Sequence, residues 1–291
     1  MAKPTRQGRK ALPLFIAGVD VFAAILMLLL TPAVSRAQNG QWQFGSAPSF
    51  SSGKYGTDTS TEVLDTPISA RRLFADGDVT FVFPFTCIWG NGGVTIVNGS
   101  PVRQQRIASS AAGRVATSRT APDSSGTAGT CGIGDIVVRG RYYVLDERAW
   151  RPTIAIRGHV KTPTASAERG LGTGRFDEGI GIEVSRTIAG GSLAMADGGY
   201  TVIGKPAGVS YNNNWWYDVG LGQDLVKRVV NLSVFFEECR TPVPGLANSR
   251  DILTAVSVTG AGGWRVQVSG EFGLSDGAPD HGVTFGASRR F

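Results

Sequence analysis

The sequence predicts an all-β fold, a transmembrane antiparallel up-and-down β-barrel of about 12 strands. After residue 38, apolar and polar residues alternate in segments of roughly ten to thirteen residues, as they do on strands with one face in lipid. Glycine accounts for 40 of the 291 residues, about twice its usual share, and is spread through these segments. No run after Leu30 is long and apolar enough to form a membrane helix. A membrane crossing by this part of the chain would therefore require a closed barrel.

The C-terminal segment is typical of bacterial outer-membrane barrels. It runs over residues 281–291, and Arg289 is the one interruption of its apolar face. That face carries Val283, Phe285, Ala287 and Phe291. We expect Phe291 at the lipid–water boundary, where the outer-membrane assembly machinery would recognise it.

The N-terminal segment predicts a cleaved export signal. It combines a positively charged leader, an apolar run over residues 11–30 and the small-residue site Ser35-Arg36-Ala37. A retained membrane anchor is the alternative, because about twenty apolar residues span a bilayer. Asp20 within the run and the cleavage site both argue against an anchor. The expected products are a signal peptide of residues 1–37 and an outer-membrane barrel of residues 38–291.

The basic character of the chain is largely a property of this signal. The whole chain carries 29 basic and 23 acidic side chains. Residues 1–37 hold five of the basic and one of the acidic side chains, so their removal leaves a net charge of +2. A nearly neutral barrel gives no reason to expect a nucleic-acid partner.

Twelve segments have the alternation of membrane strands, and no helix is predicted outside the signal. The clearest alternating sets are Val79, Phe81, Phe83, Phe85; Ile154, Ile156, Gly158, Val160; and Val230, Leu232, Val234, Phe236. The predicted strands are 41–56, 61–74, 78–89, 134–146, 152–164, 176–188, 192–204, 215–226, 228–239, 251–262, 264–275 and 281–291.

The connections between these strands alternate between short and long. The short ones are 75–77, 146–151, 189–191, Lys227 and Gly263. The long ones are 90–133, 165–175, 205–214 and 240–250. Short periplasmic turns and long extracellular loops are the pattern of outer-membrane barrels, and an even strand count puts both termini in the periplasm.

Tryptophans lie near the ends of many predicted strands. They are Trp42, Trp89, Trp150, Trp215, Trp216 and Trp264. Their positions fit the aromatic girdles of a membrane protein. A secreted β-sandwich, which also has short alternating strands, is the alternative fold.

If the apolar face meets lipid, the opposite face lines the lumen. The adjacent strands 134–146 and 152–164 then present a basic wall, which consists of Arg139, Arg141, Arg157, His159 and Lys161. Other strands contribute one further basic residue and several acids to the lumen. These candidate pore-lining and binding residues are Arg265, Glu183, Asp218, Glu237 and Glu271.

Two interpretations of this charged lumen are open. Like charges on neighbouring strands repel unless opposite charges lie between them. In the first interpretation, acids and bases pair across the lumen and fill or rigidify a narrow barrel. In the second, segregated charge forms a transverse field that orients a permeating anion or polar aromatic molecule, with arginines making forked contacts to carboxylates.

No catalytic, metal or cofactor site is predicted. The two histidines, His159 and His281, do not lie in a serine-nucleophile motif, and no cysteine–histidine pair has zinc spacing. A barrel enzyme acting on outer-membrane lipid is an alternative. It would need a histidine and a nucleophile together at the lipid-facing surface or rim.

Two of the three cysteines flank the longest loop. An exported protein permits a disulfide between Cys87 and Cys131, which would hold loop 90–133. That loop is rich in small and polar residues and would either fold into the barrel as a constriction or lie over its mouth. Cys239 would then be unpaired.

Three stretches carry a resemblance to a known family. They are Gly132-Ile133-Gly134-Asp135-Ile136; Lys161-Thr162-Pro163-Thr164 followed by Gly170-Leu171-Gly172-Thr173-Gly174 and Asp177; and Tyr217-Asp218-Val219-Gly220-Leu221-Gly222. With these stretches the chain resembles the outer-membrane barrel family labelled putative MetA-pathway of phenol degradation, whose members are often called transporters. The resemblance covers roughly residues 40–291.

The resemblance implies a barrel that passes small, often aromatic, molecules across the outer membrane. We therefore expect an outer-membrane channel for passive or facilitated uptake of small solutes, aromatic or anionic, with no cofactor. Its expected partners are outer-membrane lipid and the solute. We also expect the loop Gly170–Gly174 to fold inward, held by amide hydrogen bonds to Asp177. A sealed structural barrel is the remaining alternative.

Overall fold

The computed structural model describes residues 41–105, 128–227 and 229–291. The predicted signal peptide, residues 1–37, lies outside these described residues, as does the middle of the longest loop. Within them, one antiparallel sheet closes on itself as a barrel of 12 strands, as predicted. No helix of the described residues is long and apolar enough to cross a membrane.

The barrel strands follow one another around the wall in chain order. They are β1 (Trp42–Ser46) with β2 (Ser49–Gly53), β3 (Thr61–Leu73), β4 (Gly77–Gly90), β7 (Ala128–Ile133) with β8 (Val137–Leu145), β9 (Thr153–Lys161), β10 (Asp177–Thr187), β11 (Leu193–Ile203), β12 (Asn214–Val226), β13 (Val230–Cys239), β14 (Ser249–Thr259), β15 (Trp264–Gly273) and β16 (His281–Arg290). A hairpin of β5 (Val94–Val97) and β6 (Ser100–Arg103) lies between β4 and β7. Three single-turn 3₁₀ helices cover Ala167–Arg169, Ala189–Gly191 and Ala261–Gly263.

The last strand closes the barrel against the first. β16 pairs with β1, where Arg290 is opposite Gln43, and with β2, where Thr284 is opposite Ser49. β3 pairs with the opposite edge of β1 and with the opposite edge of β2. A closed sheet leaves no strand edge facing lipid, where unpaired backbone groups could not be satisfied.

The first predicted strand, 41–56, is interrupted, which the sequence analysis did not anticipate. Pro48 separates β1 from β2. Proline has no N–H to donate to the ladder, so the strand bends at this point. The Pro48 carbonyl still accepts a hydrogen bond from Phe285 N at 2.9 Å.

The fourth predicted strand, 134–146, also needs correction. It begins earlier, at Ala128, and is broken over residues 134–136. The break lies opposite Pro84, whose carbonyl accepts the Gly134 N–H at 2.9 Å. A side chain at Gly134 would come within 2.8 Å of the Pro84 ring, so only glycine fits there. The break releases Asp135 from the ladder, and its side chain is free to bond elsewhere.

The outer face of the barrel is apolar, as the alternation predicted. Its exposed large side chains include Phe81, Phe83, Phe85, Ile156, Ile180, Ile182, Val219, Leu221, Val234, Val266, Val268 and Phe285. A closed barrel with a lipid-compatible exterior is the architecture of a bacterial outer-membrane protein.

Only some of the predicted girdle tryptophans lie on the outer face of the barrel. Trp42 and Trp264 are exposed at the short-turn end, and each packs against an arginine side chain. Trp215 stacks on Tyr217 at a ring distance of 6.0 Å. Trp216 instead lines the lumen, because successive side chains of a strand point to opposite faces.

The buried apolar residues lie at the long-loop end. One cluster consists of Tyr55, Val63, Ile88, Val94, Ile96, Ala165 and Leu171. A second consists of Val97, Val102, Ile203, Tyr211 and Val243. Burial raises the pKa of Tyr55, which lies in the loop between β2 and β3, to about 12. Both clusters contain residues of the β5–β6 hairpin, so the hairpin packs across the mouth of the barrel.

This hairpin was missed within the predicted loop 90–133. Its signal is present in the sequence: an apolar run, Val94–Val97, precedes Asn98-Gly99. Asn98 and Gly99 have positive φ angles of 51° and 80°, as tight hairpin turns require. The described part of the loop combines the two expected arrangements, because the hairpin packs across the mouth while its tip, Gly99 and Ser100, lines the lumen.

A disulfide joins Cys87 to Cys131. These residues are directly opposite each other on β4 and β7, so the bond lies in the barrel wall rather than at the ends of the strands. Cys239 is free and half-buried.

The disulfide closes a loop, so its removal should lower the free energy of unfolding. In the chain-entropy model, a separation of 44 residues corresponds to about 4 kcal/mol, so the Cys87→Ser/Cys131→Ser variant should lose that much free energy of unfolding. Urea unfolding in detergent micelles, followed by tryptophan fluorescence, measures the loss. Cys239→Ser is the control, and a double variant as stable as this control would contradict the prediction.

Candidate functional site: the barrel lumen

The barrel lumen holds two adjoining cavities. The larger, of about 930 Å³, extends towards Gln43 and Ser288 near the short-turn end, and we call it the inner chamber. The smaller, of about 410 Å³, extends towards Tyr55 and Pro279 at the long-loop end, and we call it the outer chamber. Residues that line both chambers include Gly99, Ser100, Asn214, Trp216, Asp218, Glu237 and Cys239. The tip of the β5–β6 hairpin therefore lies where the chambers meet.

The basic residues of β8 and β9 lie together along one wall of the inner chamber. Arg139 is directly opposite His159, and Arg141 is directly opposite Arg157. All four line the inner chamber. Two arginines at directly opposite positions would repel each other without a negative charge nearby.

Carboxylates on the next two strands supply that charge. Glu183 on β10 lies 3.1 Å from Arg141 and 3.9 Å from Arg157. Asp197 on β11 forms a second ion pair with Arg157. The Arg157 guanidinium also lies 5.2 Å from the centre of the Trp216 ring. Among the described residues, these ion pairs therefore join strands one or two apart along the same wall, and they do not cross the lumen as the first interpretation required.

Two arginines of the inner chamber lack an ion pair with the described residues. In the described part of the chain, Arg139 has no hydrogen-bond or ion-pair partner, and its side chain is exposed to the chamber. Arg265, near the short-turn end, donates a hydrogen bond to Ser257 at 3.2 Å. Arg139 is therefore available to an anionic group.

Lys161 borders the inner chamber, but unlike the arginines of this wall it is buried rather than open to the chamber. It is only 2% exposed, and its ammonium lies 2.6 Å from Asp135 and 3.2 Å from Asp177. It also donates to Thr173 Oγ1 and to the carbonyl of Arg175. Lys161, Asp135 and Asp177 form a buried charged cluster, which we call the Lys161 node.

The Lys161 node holds the glycine-rich loop that was expected to fold inward. Asp135 accepts a hydrogen bond from Ala165 N at 2.9 Å. A side chain at Gly172 would come within 2.6 Å of Asp135, so the loop packs directly on the node. The Gly170 carbonyl in turn accepts hydrogen bonds from Ile96 N and from Thr95 Oγ1, both at 3.0 Å. The loop thus connects the node to the hairpin.

Asp177 acts differently from what the sequence suggested. It does accept an amide hydrogen bond, but from Gly204 in the next long loop, at 2.9 Å. Asp135, which the strand break releases, is the carboxylate that bonds the loop after β9.

Four acidic residues lie on the wall formed by β12 to β15. Asp218, Glu237 and Asp251 are directly opposite one another on three successive strands. Glu271 on β15 lines the outer chamber with them. The lumen therefore has a basic wall at β8 and β9 and an acidic wall on the strands that follow further around the barrel.

Sequence reasoning missed several charged lumen residues. Arg71 and Asp78 form an ion pair of 2.5 Å in the inner chamber. Asp197 and Asp251 also point inward. The period-two alternation would have placed all four, because each lies on the polar face of its strand.

The two histidines lie on β9 and β16, which are far apart around the barrel. His159 lines the inner chamber, with Nε2 3.4 Å from Thr201 Oγ1. Its ring packs against the backbone of Gly179, where an added side chain would lie 2.1 Å away. His281 is exposed at the start of β16, at the long-loop end.

The chain matches one protein family by sequence and resembles outer-membrane barrels by fold. The family model described as putative MetA-pathway of phenol degradation matches residues 81–291. The fold is similar to that of the COG4313 outer membrane channel from Pseudomonas putida F1, with a TM-score of 0.64 and 12% identity over 90% of this chain and 100% of that chain. The translocator domain of autotransporter NalP from Neisseria meningitidis is less similar, with a TM-score of 0.40 and 10% identity over 95% and 97%. No curated protein matches the sequence.

Proposed function

The chain belongs to the family described as putative MetA-pathway of phenol degradation, and on that premise we propose that it is an outer-membrane channel. It takes up small solutes that carry an aromatic or anionic group, by passive or facilitated diffusion. No energy input is required, because the solute moves down its own gradient.

The observation that carries this proposal is the pair of chambers in series inside a closed barrel. Together they extend from residues at the long-loop end to residues at the short-turn end. Volumes of about 930 and 410 Å³ are in the range of cavities that hold small molecules. In a sealed structural barrel, paired side chains would fill the lumen, whereas here the lumen holds two cavities.

The lining residues support the choice of solute. Arg139 can make a forked contact to a carboxylate, because no protein group in the described residues occupies it. The Trp216 ring lines both chambers and offers a face on which an aromatic ring can pack. Both groups lie in the lumen.

Single-channel recording tests the proposal directly. The protein in a planar bilayer should give discrete openings, and Arg139→Gln should shift the reversal potential in a KCl gradient towards cation preference. The shift is expected because the substitution removes a lumen charge that forms no ion pair with the described residues and is attracted by Asp65 only from beyond ion-pair distance. Arg289→Gln is the matched control, since Arg289 packs over Trp264 and Phe291 on the outside of the barrel.

Two results would contradict the proposal. A folded barrel without openings at any voltage would exclude a channel. Equal reversal potentials for the two arginine variants would exclude Arg139 as a determinant of selectivity.

A further inference from the structure

The two chambers differ in charge. The outer chamber has six acidic residues in its wall, Asp65, Asp218, Glu237, Glu238, Asp251 and Glu271, and Arg240 is its basic residue within the described residues. The inner chamber shares three of these acids, Asp65, Asp218 and Glu237, but it alone has the arginine wall of β8 and β9. A solute that enters from the long-loop end therefore meets an acidic chamber before a basic one.

Three acids of the outer chamber have no partner among the described residues, whereas Glu238 lies 3.9 Å from Arg250. Asp218, Glu237 and Glu271 make no hydrogen bond or ion pair with any described residue. Asp218 and Asp251 are both directly opposite Glu237, so three like charges lie side by side across the strands. Such an arrangement is unfavourable unless a positive charge comes between them.

Asp251 provides an independent sign of a ligand. Its residue is 5% exposed and it lines the outer chamber. Its Oδ1 has no hydrogen-bond partner among the described residues, although buried polar atoms are rarely left unpaired. A cationic group in the outer chamber would satisfy this oxygen and relieve the repulsion among its neighbours.

Arg139 is the corresponding unpaired group of opposite sign in the inner chamber. The neighbouring Arg141 and Arg157 are neutralised by Glu183 and Asp197, whereas Arg139 has no such partner in the described chain. The two sets of unpaired charge meet where Asp218 and Glu237 line both chambers.

We infer that the solute carries both charges, and that the channel is selective for small zwitterions with an ammonium and a carboxylate group. A simple anion is repelled by the outer chamber, and a simple cation is repelled by Arg139. A zwitterion places its ammonium group among the carboxylates and its carboxylate against Arg139 as it passes the hairpin tip. This inference rests on the proposed channel function and specifies its substrate class.

Zwitterion selectivity is tested by measuring the flux of four compounds that share a three-carbon skeleton. The full protein is reconstituted in liposomes, and uptake of β-alanine, propionate, propylammonium and propionamide is measured at pH 7. These probes are a zwitterion, an anion, a cation and a neutral amide of similar size. We expect β-alanine to enter roughly fivefold faster than each of the others, the factor that one unfavourable charge contact can produce.

Variants identify the chamber responsible for each preference. Glu237→Gln/Glu271→Gln should abolish the preference for β-alanine over propionate. Arg139→Gln should abolish the preference over propylammonium. Glu168→Gln is the control, because Glu168 is exposed in the loop after β9 and outside both chambers.

The outcomes separate this inference from the proposed function. Propionate entering as fast as β-alanine, or equal entry of all four probes, would overturn zwitterion selectivity and leave the channel intact. Retention of the full preference in the Glu237→Gln/Glu271→Gln variant would also overturn it. Failure of all four to enter, with a barrel that is folded by its gel mobility, would overturn the channel itself.

Discussion

Lys161→Met is expected to lower the free energy of unfolding by about 3–5 kcal/mol, the cost of removing one partner from a buried ion pair. The substitution leaves Asp135 and Asp177, 7% and 0% exposed at their side chains, without the ammonium that pairs with both. Methionine fills a similar volume, so the loss reports on charge rather than on a cavity. Urea unfolding in detergent micelles measures it.

Two further variants make this result specific. Lys205→Met is the matched control, because Lys205 is exposed in the loop after β11 and makes no ion pair with the described residues. The Lys205→Met variant should unfold at the same urea concentration as the wild-type protein. Adding Asp135→Asn and Asp177→Asn to Lys161→Met should restore part of the lost stability, since neutral amides tolerate burial better than unpaired carboxylates. If Lys161→Met and Lys205→Met unfolded at the same urea concentration, the Lys161 node would not be a source of stability.

Val97→Asp is expected to raise single-channel conductance severalfold. Val97 is 0% exposed and packs in the cluster with Val102, Ile203, Tyr211 and Val243. A carboxylate there has no cationic partner, and burying an unpaired charge costs more than releasing the hairpin. The β5–β6 hairpin should leave the mouth of the barrel and widen the path between the chambers. Planar-bilayer recording gives the conductance.

Ser100→Asp is the control for this change. It adds the same charge to the same hairpin, but at an exposed position of the lumen. It should alter charge selectivity and leave the conductance within the wild-type range. Equal conductance in Val97→Asp and wild type would show that the hairpin does not limit the passage of ions.

These two experiments address one connected structure. The Lys161 node bonds the loop after β9, and Gly170 in that loop accepts two hydrogen bonds from the hairpin. Hydrogen bonds between Gln105 and Ser210 join the segment after β6 to the loop after β11. The position of the hairpin therefore depends on contacts with several loops, each contributed by a different part of the chain.

Much of the barrel could be predicted from the sequence because its determinants are local. Period-two alternation assigns each side chain to lipid or lumen within a single strand, as Phe81, Phe83 and Phe85 show. The family resemblance, based on three short stretches, is confirmed by the match over residues 81–291. The breaks at Pro48 and opposite Pro84 were missed, although proline is a local signal, because they interrupt an otherwise continuous alternation.

The sequence by itself determined the closed barrel, its apolar exterior and the face on which each charged strand residue lies. Only the tertiary structure decided which charges are neutralised. Lys161 and Arg139 have the same sign and neighbouring strand positions, yet Lys161 lies between two carboxylates while Arg139 faces the inner chamber. The physical reason is that ion pairing depends on distances across strands and loops remote in sequence, whereas the direction of a side chain depends on its own strand alone.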